Sequence, residues 1–148
     1  MLIRISVPQD LDSILAVVND AAQVYKGVIP SDRWHDPYMP RNVLENEIAH
    51  GVEFWIAEDE GLLLGVMGVQ DKGDVTLVRH AYVAPAAQRM GVGTRLLHHV
   101  EGLTEKPILI GTWRDASWAI DFYRRNGFTL LGDDDKDHLL RTYWSIPE

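Results

Sequence analysis

The sequence predicts one α/β domain over residues 1–148, built on a mixed, mostly antiparallel sheet of about seven strands flanked by about four helices. Three observations predict it. Three strand-like runs follow one another between Val52 and Val83 with only short turns between them, and strands joined so closely pair antiparallel. A strand–loop–helix–strand unit then runs from "VTLVRHAYV" to "ILIGTW", long enough for a parallel crossover. Four stretches carry helix signals, through apolar spacing or end residues.

The elements justify themselves in order. "LIRIS" alternates and is rich in β-branched residues, so it reads as a first strand. In "QDLDSILAVVNDAAQVY", Leu11, Ile14, Leu15, Val18 and Ala22 recur at helical spacing behind an acidic first turn, predicting a helix to about Val24. "KGVIPSDRWHDPYMP" is an irregular loop, with three prolines and with Trp34, His35 and Tyr38. "RNVLENEIAH" is a short helix closed by Gly51. "VEFWIAED" and "LLLGVMGVQ" flank Glu60-Gly61, a hairpin signature, and "DKGD" turns the chain into the third strand. Past Pro85, Gly91 and Gly93 open a helix whose Val92, Leu96, Leu97 and Val100 form one apolar stripe. "ILIGTW" is a strand. Asp115 is a candidate N-cap for "ASWAIDFYRRN", and Gly127 follows as its C′ residue. "FTLL" and "LLRTYWSI" close the chain as strands around a solvated acidic loop, "GDDDKD".

Composition narrows the function. Hydrophobic residues make up 46% and charged residues 24%, ordinary for a soluble globular chain. The longest near-apolar run, Gly61 to Val69, is far short of the roughly 20 residues of a membrane helix, and "MLIRISVPQD" lacks signal-peptide features. The expected location is cytoplasmic. With no cysteine, disulfides and thiol nucleophiles are excluded. The net charge of −8 argues against non-specific nucleic-acid binding and favours cations, amines among them, or serves solubility alone.

The stretch "QRMGVG", Gln88 to Gly93, runs from a strand end into a helix start. It is no P-loop, because the two glycines stand too close and no lysine follows. It is no dinucleotide fingerprint, because Leu96 stands where the third glycine belongs. What remains suits a metal-free diphosphate on helix-start amides, with Arg89 supplying charge, or else close helix packing.

Gln88-x-x-Gly91-x-Gly93 resembles the acyl-CoA pyrophosphate loop of the GNAT superfamily of N-acetyltransferases. "AYVAP" before it resembles that family's fourth strand and exit proline, and "AIDFYRRNGF", Ala119 to Phe128, resembles its later helix. The resemblance covers nearly the whole chain. It implies acetyl-CoA as co-substrate, no metal, and a loop of Gln88, Arg89, Met90, Gly91, Val92, Gly93 and Thr94 around the diphosphate. It implies backbone groups near Tyr82-Val83 for the oxyanion, where that family's fourth strand carries a bulge and splays from the fifth, and Ala119 along the pantetheine arm. Tyr123 falls at the family's general-acid tyrosine, against a plain core-aromatic reading.

Two family residues are absent. Ala116 stands where an asparagine often contacts pantetheine, leaving Asp115 or Ser117 as replacements, and Leu77 stands where some members carry a glutamate base. His80 is then the nearest titratable candidate for the base, against the plainer reading of a half-buried strand histidine. Trp34, His35 and Tyr38 are the candidate acceptor-binding residues, or simply pack their loop. His98 and His99 are neighbours on a helix and do not share a site. "DDDKDH" fails as a calcium loop for want of its glycine and glutamate.

The expected function is transfer of an acetyl group from acetyl-CoA directly to a primary amine of a small molecule or peptide. The alternative is an acyl-CoA-binding sensor without turnover. Neither nucleic acid nor membrane is expected as a partner, and the oligomeric state is open, a homodimer included.

Overall fold

A computed structural model describes residues 1–29, 31, 34, 36–112, 116–139 and 142–143. The chain forms two compact units, Met1–Trp113 and Arg114–Glu148. The first contains β1 (Leu2–Ile5), α1 (Leu11–Ala21), α2 (Arg41–Ala49), β2 (Glu53–Asp59), β3 (Leu62–Asp71), β4 (Thr76–Val83), α3 (Val92–Glu101) and β5 (Ile108–Ile110). Its sheet runs β1-β2-β3-β4-β5. The first four strands are antiparallel neighbours, and β5 joins β4 in parallel after the α3 crossover.

Local chemistry accounts for the boundaries. The α1 helix tightens at Ala21 into a 3-10 turn, Ala22–Tyr25, so the expected helix is continued in that form. Gly51 takes φ 97° after α2, with Gly51 N–H donating to Ile48 O and Val52 N–H to Glu47 O, the two bonds of a Schellman end. Glu60 and Gly61 both have positive φ, 51° and 81°, as a two-residue hairpin turn requires.

The sheet buries both faces. Ile14, Val18, Leu44, Phe54, Ile56 and Val66 form the core under α1 and α2. On the other side lies α3, with Val92, Leu96, Leu97 and Val100 all buried as the stripe predicts. Gly65 permits that approach, since a Cβ there would lie 2.8 Å from Val92 Cγ1. No helix of the described residues is long and apolar enough to cross a membrane.

The second unit holds α4 (Ser117–Arg125) and α5 (Asp133–Leu139). The four expected helices are present, α4 ending on Gly127 at φ 93°. Its N-cap is Ala116, and Asp115, the expected cap, lies outside the described residues. The sheet is smaller than the sequence predicts, with five strands among the described residues rather than about seven. "FTLL" forms no strand, and "GDDDKD" belongs largely to α5 rather than to a loop. Aspartates at the start of a helix complement its positive end, which favours the helix there. Of "LLRTYWSI", Leu139 ends α5, Thr142 and Tyr143 form a helical turn, and the rest lies outside the described residues.

Candidate active site

The site is built around an irregularity in β4. Val66 pairs with Tyr82 but Gly68 pairs with Arg79, so His80 and Ala81 together oppose the single residue Met67. This is a bulge, two residues earlier than the expected position at Tyr82-Val83. His80 sits in it at φ 54°, a left-handed conformation uncommon for a side chain of its size. Pairing with β5 covers only Thr76, Leu77 and Val78 and stops just before the bulge. From Arg79 to Val83 no strand of the described residues lies on that side. Ala84 N–H donates to Leu64 O at 2.8 Å, so alternation turns the Val83 backbone the other way, toward the open side. Gln88 Nε2 donates to Val83 O at 3.1 Å and ties the following loop to that edge.

The loop carries two left-handed residues, Arg89 at φ 70° and Gly91 at φ 75°. Gly91 is the N-cap of α3, with no side-chain cap. The first backbone bond of the helix is Arg95 N–H to Gly91 O at 3.1 Å. The amides of Gly91, Val92, Gly93 and Thr94 therefore have no acceptor among the described residues. Gln88, Arg89, Met90 and Gly91 are exposed, Gly93 and Thr94 half-buried, and only Val92 is buried. A Cβ at Gly91 would meet nothing within 4 Å, so the space beside Gly91 at the start of these amides is open. Four unpaired N–H groups at the positive end of a helix, with Arg89 beside them, fit a diphosphate.

An aromatic cluster covers the α1–α2 side. Trp34 and Tyr38 lie 5.6 Å apart between ring centroids, and Tyr38 is 6.3 Å from both Tyr25 and Tyr82. Tyr25 meets Tyr82 edge-on at 6.3 Å, and burial above all pushes the Tyr25 phenol up from its ordinary pKa. Asn19 on α1 fixes this loop, accepting from Met39 N–H at 2.6 Å and donating to Met39 O at 3.0 Å. Of the expected acceptor residues, Trp34 and Tyr38 come together with Tyr82; His35 lies outside the described residues.

Deeper on the same face stands His80, stacked against Phe54 at 6.2 Å. Its Nε2 is 3.2 Å from Glu47 Oε1, and Arg79 Nη2 reaches the same oxygen at 3.4 Å. Arg79 Nη1 donates to Gln70 Oε1 at 3.2 Å, and Gln70 Nε2 to His50 O at 3.0 Å. The hydrogen bond with His80, helped by the charges of His80 and Arg79, holds the Glu47 carboxyl below the usual carboxylate range against the opposing effect of burial. Sequence reasoning finds His80 and misses Glu47, Arg79, Gln70, Asn19 and Tyr25. One signal was available for Glu47, since an acid in the last turn before a C′ glycine opposes the helix dipole.

In the second unit, Tyr123 lies on α4, half-buried, with Phe122 at 5.2 Å and Phe128 at 6.0 Å, both edge-on. Ala119 is half-buried one turn before it. Ala116 is buried, and its carbonyl accepts from Ala119 N–H at 3.1 Å.

Comparison with known proteins gives these features a family. The model of the acetyltransferase (GNAT) domain matches residues 50–130, more than half of the chain. The chain is similar to the peptidyl-lysine N-acetyltransferase YiaC of Escherichia coli (strain K12), 23% identical over 110 residues that cover 70% of this chain and 73% of that protein. The PaiA N-acetyltransferase of Thermoplasma acidophilum, solved in complex with coenzyme A, superposes with a TM-score of 0.74 at 22% identity, covering 88% of this chain and 92% of that one. The ribosomal-protein-alanine N-acetyltransferase of Brucella melitensis gives a TM-score of 0.68 at 26% identity over 89% and 86% of the two chains. The parallel β5 behind a bulged β4, the open amides before α3 and the match over residues 50–130 agree: the chain belongs to the GNAT acetyltransferase family and is an acyltransferase.

Proposed function

We propose that this acetyltransferase moves the acetyl group of acetyl-CoA directly to a primary amine of a small molecule or peptide. The observation that carries this reading is the open edge of β4 leading straight into the four unpaired amides of Gly91–Thr94. The family match crosses the boundary between the two units, which supports reading residues 1–148 as one working domain. The relatives' names, a peptidyl-lysine and a ribosomal-protein-alanine acetyltransferase, place peptide amines first among the acceptors to test.

Bound acetyl-CoA supplies an activated thioester. The amides of Gly91–Thr94 and the Arg89 guanidinium hold its diphosphate, with Gln88 and Met90 completing the loop. The backbone N–H at Val83, with Tyr82 beside it, donates to the thioester oxygen as negative charge builds there. Ala119 lines the pantetheine arm. Trp34, His35 and Tyr38 receive the acceptor, aromatic faces being attractive to an ammonium group, and the −8 net charge draws cationic amines toward the protein. Attack needs a neutral amine, and His80 takes its proton at Nδ1. Tyr123, a phenol and so a weak acid, returns a proton to the departing sulfur.

Two measurements test this. Acetyl-CoA at millimolar concentration should raise the melting temperature, and mass spectrometry should then find acetylation within a panel of peptide amino termini, lysine peptides, polyamines, aminoglycosides and amino acids. Absence of any thermal shift would remove acetyl-CoA as co-substrate. A shift with no product across the panel would favour a sensor without turnover. Replacing Tyr123 by Phe should lower kcat by roughly 10²-fold; a rate within about twofold of wild type would remove its acid function.

A further inference from the structure

We infer that Glu47 is a positioning residue that holds the His80 imidazole in one tautomer, Nε2–H toward Glu47, and leaves Nδ1 free to accept a proton. The inference rests on the reading of His80 as the base. Three independent pieces of geometry carry it.

First, the bulge changes which residues share a face. In a regular strand Arg79 and His80 would point to opposite sides of the sheet. Here both reach Glu47 Oε1, at 3.4 and 3.2 Å. Second, α2 delivers the carboxylate from a fixed backbone. Glu47 O accepts from Val52 N–H at 3.0 Å within the Schellman end set by Gly51, so the main chain at 47 is held by β2 immediately beyond it. A carboxylate in that last turn faces the negative end of the helix and gains nothing from it. Its compensation comes from Arg79 and His80. Third, the imidazole has no rotational freedom to spare. Phe54 stacks on it from β2 at 26° between planes, and its side chain is only 21% exposed. Among the described residues Nδ1 has no hydrogen-bond partner.

The groups facing His80 act with opposite signs. Glu47 from α2 favours the imidazolium that forms when Nδ1 takes a proton. Arg79 disfavours it, and Gln70 from β3 holds the Arg79 guanidinium in place through Oε1. His50, at the end of α2, has its Nδ1 on Asn46 O at 2.7 Å and adds positive charge near Glu47 only when protonated. Because Arg79 shares the carboxylate, Glu47 stays ionised while His80 cycles between its two forms.

The test uses the full chain and reads His80 directly. Ring nitrogen NMR across pH should show the Nε2–H tautomer in the wild type. Glu47→Gln keeps the size and an oxygen acceptor but removes the charge. It should move the His80 titration, and the acid limb of kcat/KM with it, down by about one pH unit. Arg79→Gln should move both in the opposite direction. Thermal melts confirm that each variant folds, and the opposite signs separate positioning from general loss of structure. If the ring titration and tautomer in Glu47→Gln match the wild type, the inference is overturned. The ring titration needs no turnover, so it decides the part of Glu47 even if His80→Ala retains the wild-type rate, the outcome that would instead remove His80 as base.

Discussion

At the scale of single residues, the bulge in β4 depends on what faces it. A Cβ at Gly68 would lie 2.7 Å from the Arg79 carbonyl oxygen, 3.0 Å from Phe54 Cε1 and 3.1 Å from Val52 Cγ1. The first of these is backbone and cannot turn aside. Gly68→Ala should therefore cost about 1–3 kcal/mol in urea unfolding and should disturb the Glu47–His80 contact. Gly65→Ala meets the side chains of Val92 and Leu96 at 2.8 and 3.2 Å and the Tyr82 carbonyl oxygen only at 3.3 Å, a looser backbone approach than at Gly68, and should cost less. A measured order with Gly65→Ala the worse of the two would show that the bulge carbonyl is not the constraint. His80 is visible in the sequence as a titratable group in a strand, but its partner is 33 positions away and on another element, beyond the reach of any local pattern.

At the scale of elements, the strand–loop–helix from Thr76 to Glu101 was the most legible part of the chain. Its glycines, its exit proline and its apolar stripe are all local signals, and the structure keeps each in place. Gly91 is required at φ 75°, where a β-branched residue is strained by roughly 1–2 kcal/mol. Gly91→Val would also put methyl groups above the open amides. The expected result is a loss of at least about tenfold in acetyl-CoA affinity by calorimetry, equal to about 1.4 kcal/mol, with the sheet intact by circular dichroism. Affinity equal to the wild type would mean that the diphosphate does not sit on these amides. The closing stretch was the least legible. "FTLL" has the composition of a strand, but a strand exists only against a partner, and composition names none.

At the scale of the whole molecule, the fold of the first unit is tied together by charge as well as by its core. Arg4 on β1 grips Asp10 at 2.9 and 3.0 Å and Glu58 on β2 at 3.1 and 3.2 Å. Arg4 holds the Asp10 carboxyl below its ordinary pKa, as His80 holds that of Glu47. Both groups have folded values below their unfolded ones, about 3.9 for Asp and 4.3 for Glu. Their stabilisation is complete above those unfolded values and is lost as pH falls through the folded ones. Melting temperature should hold from neutral pH to about 5 and drop below about 4. Arg4→Met should lower it at neutral pH and make the acid loss shallower, because the largest cause of the depressed Asp10 value is then gone and only the Val7 N–H bond still favours the carboxylate. An unchanged acid slope in that variant would remove the Arg4–Asp10 pair as a source of the pH dependence.

The sequence by itself determined what is local: the three-strand meander, the turns at Gly51 and Gly61, the α3 stripe and the glycine loop that opens α3. Each follows from backbone freedom and side-chain periodicity within a few residues. Tertiary structure alone decided how β4 breaks. Pairing with β3 placed the bulge at His80 and Ala81, which freed the edge toward Val83 and swung Arg79 and His80 onto one face. Only there could a carboxylate from α2 meet them. Such a register shift costs nothing that a sequence pattern records, since it is fixed by the packing of Gly68, Phe54 and Glu47 across three separate elements.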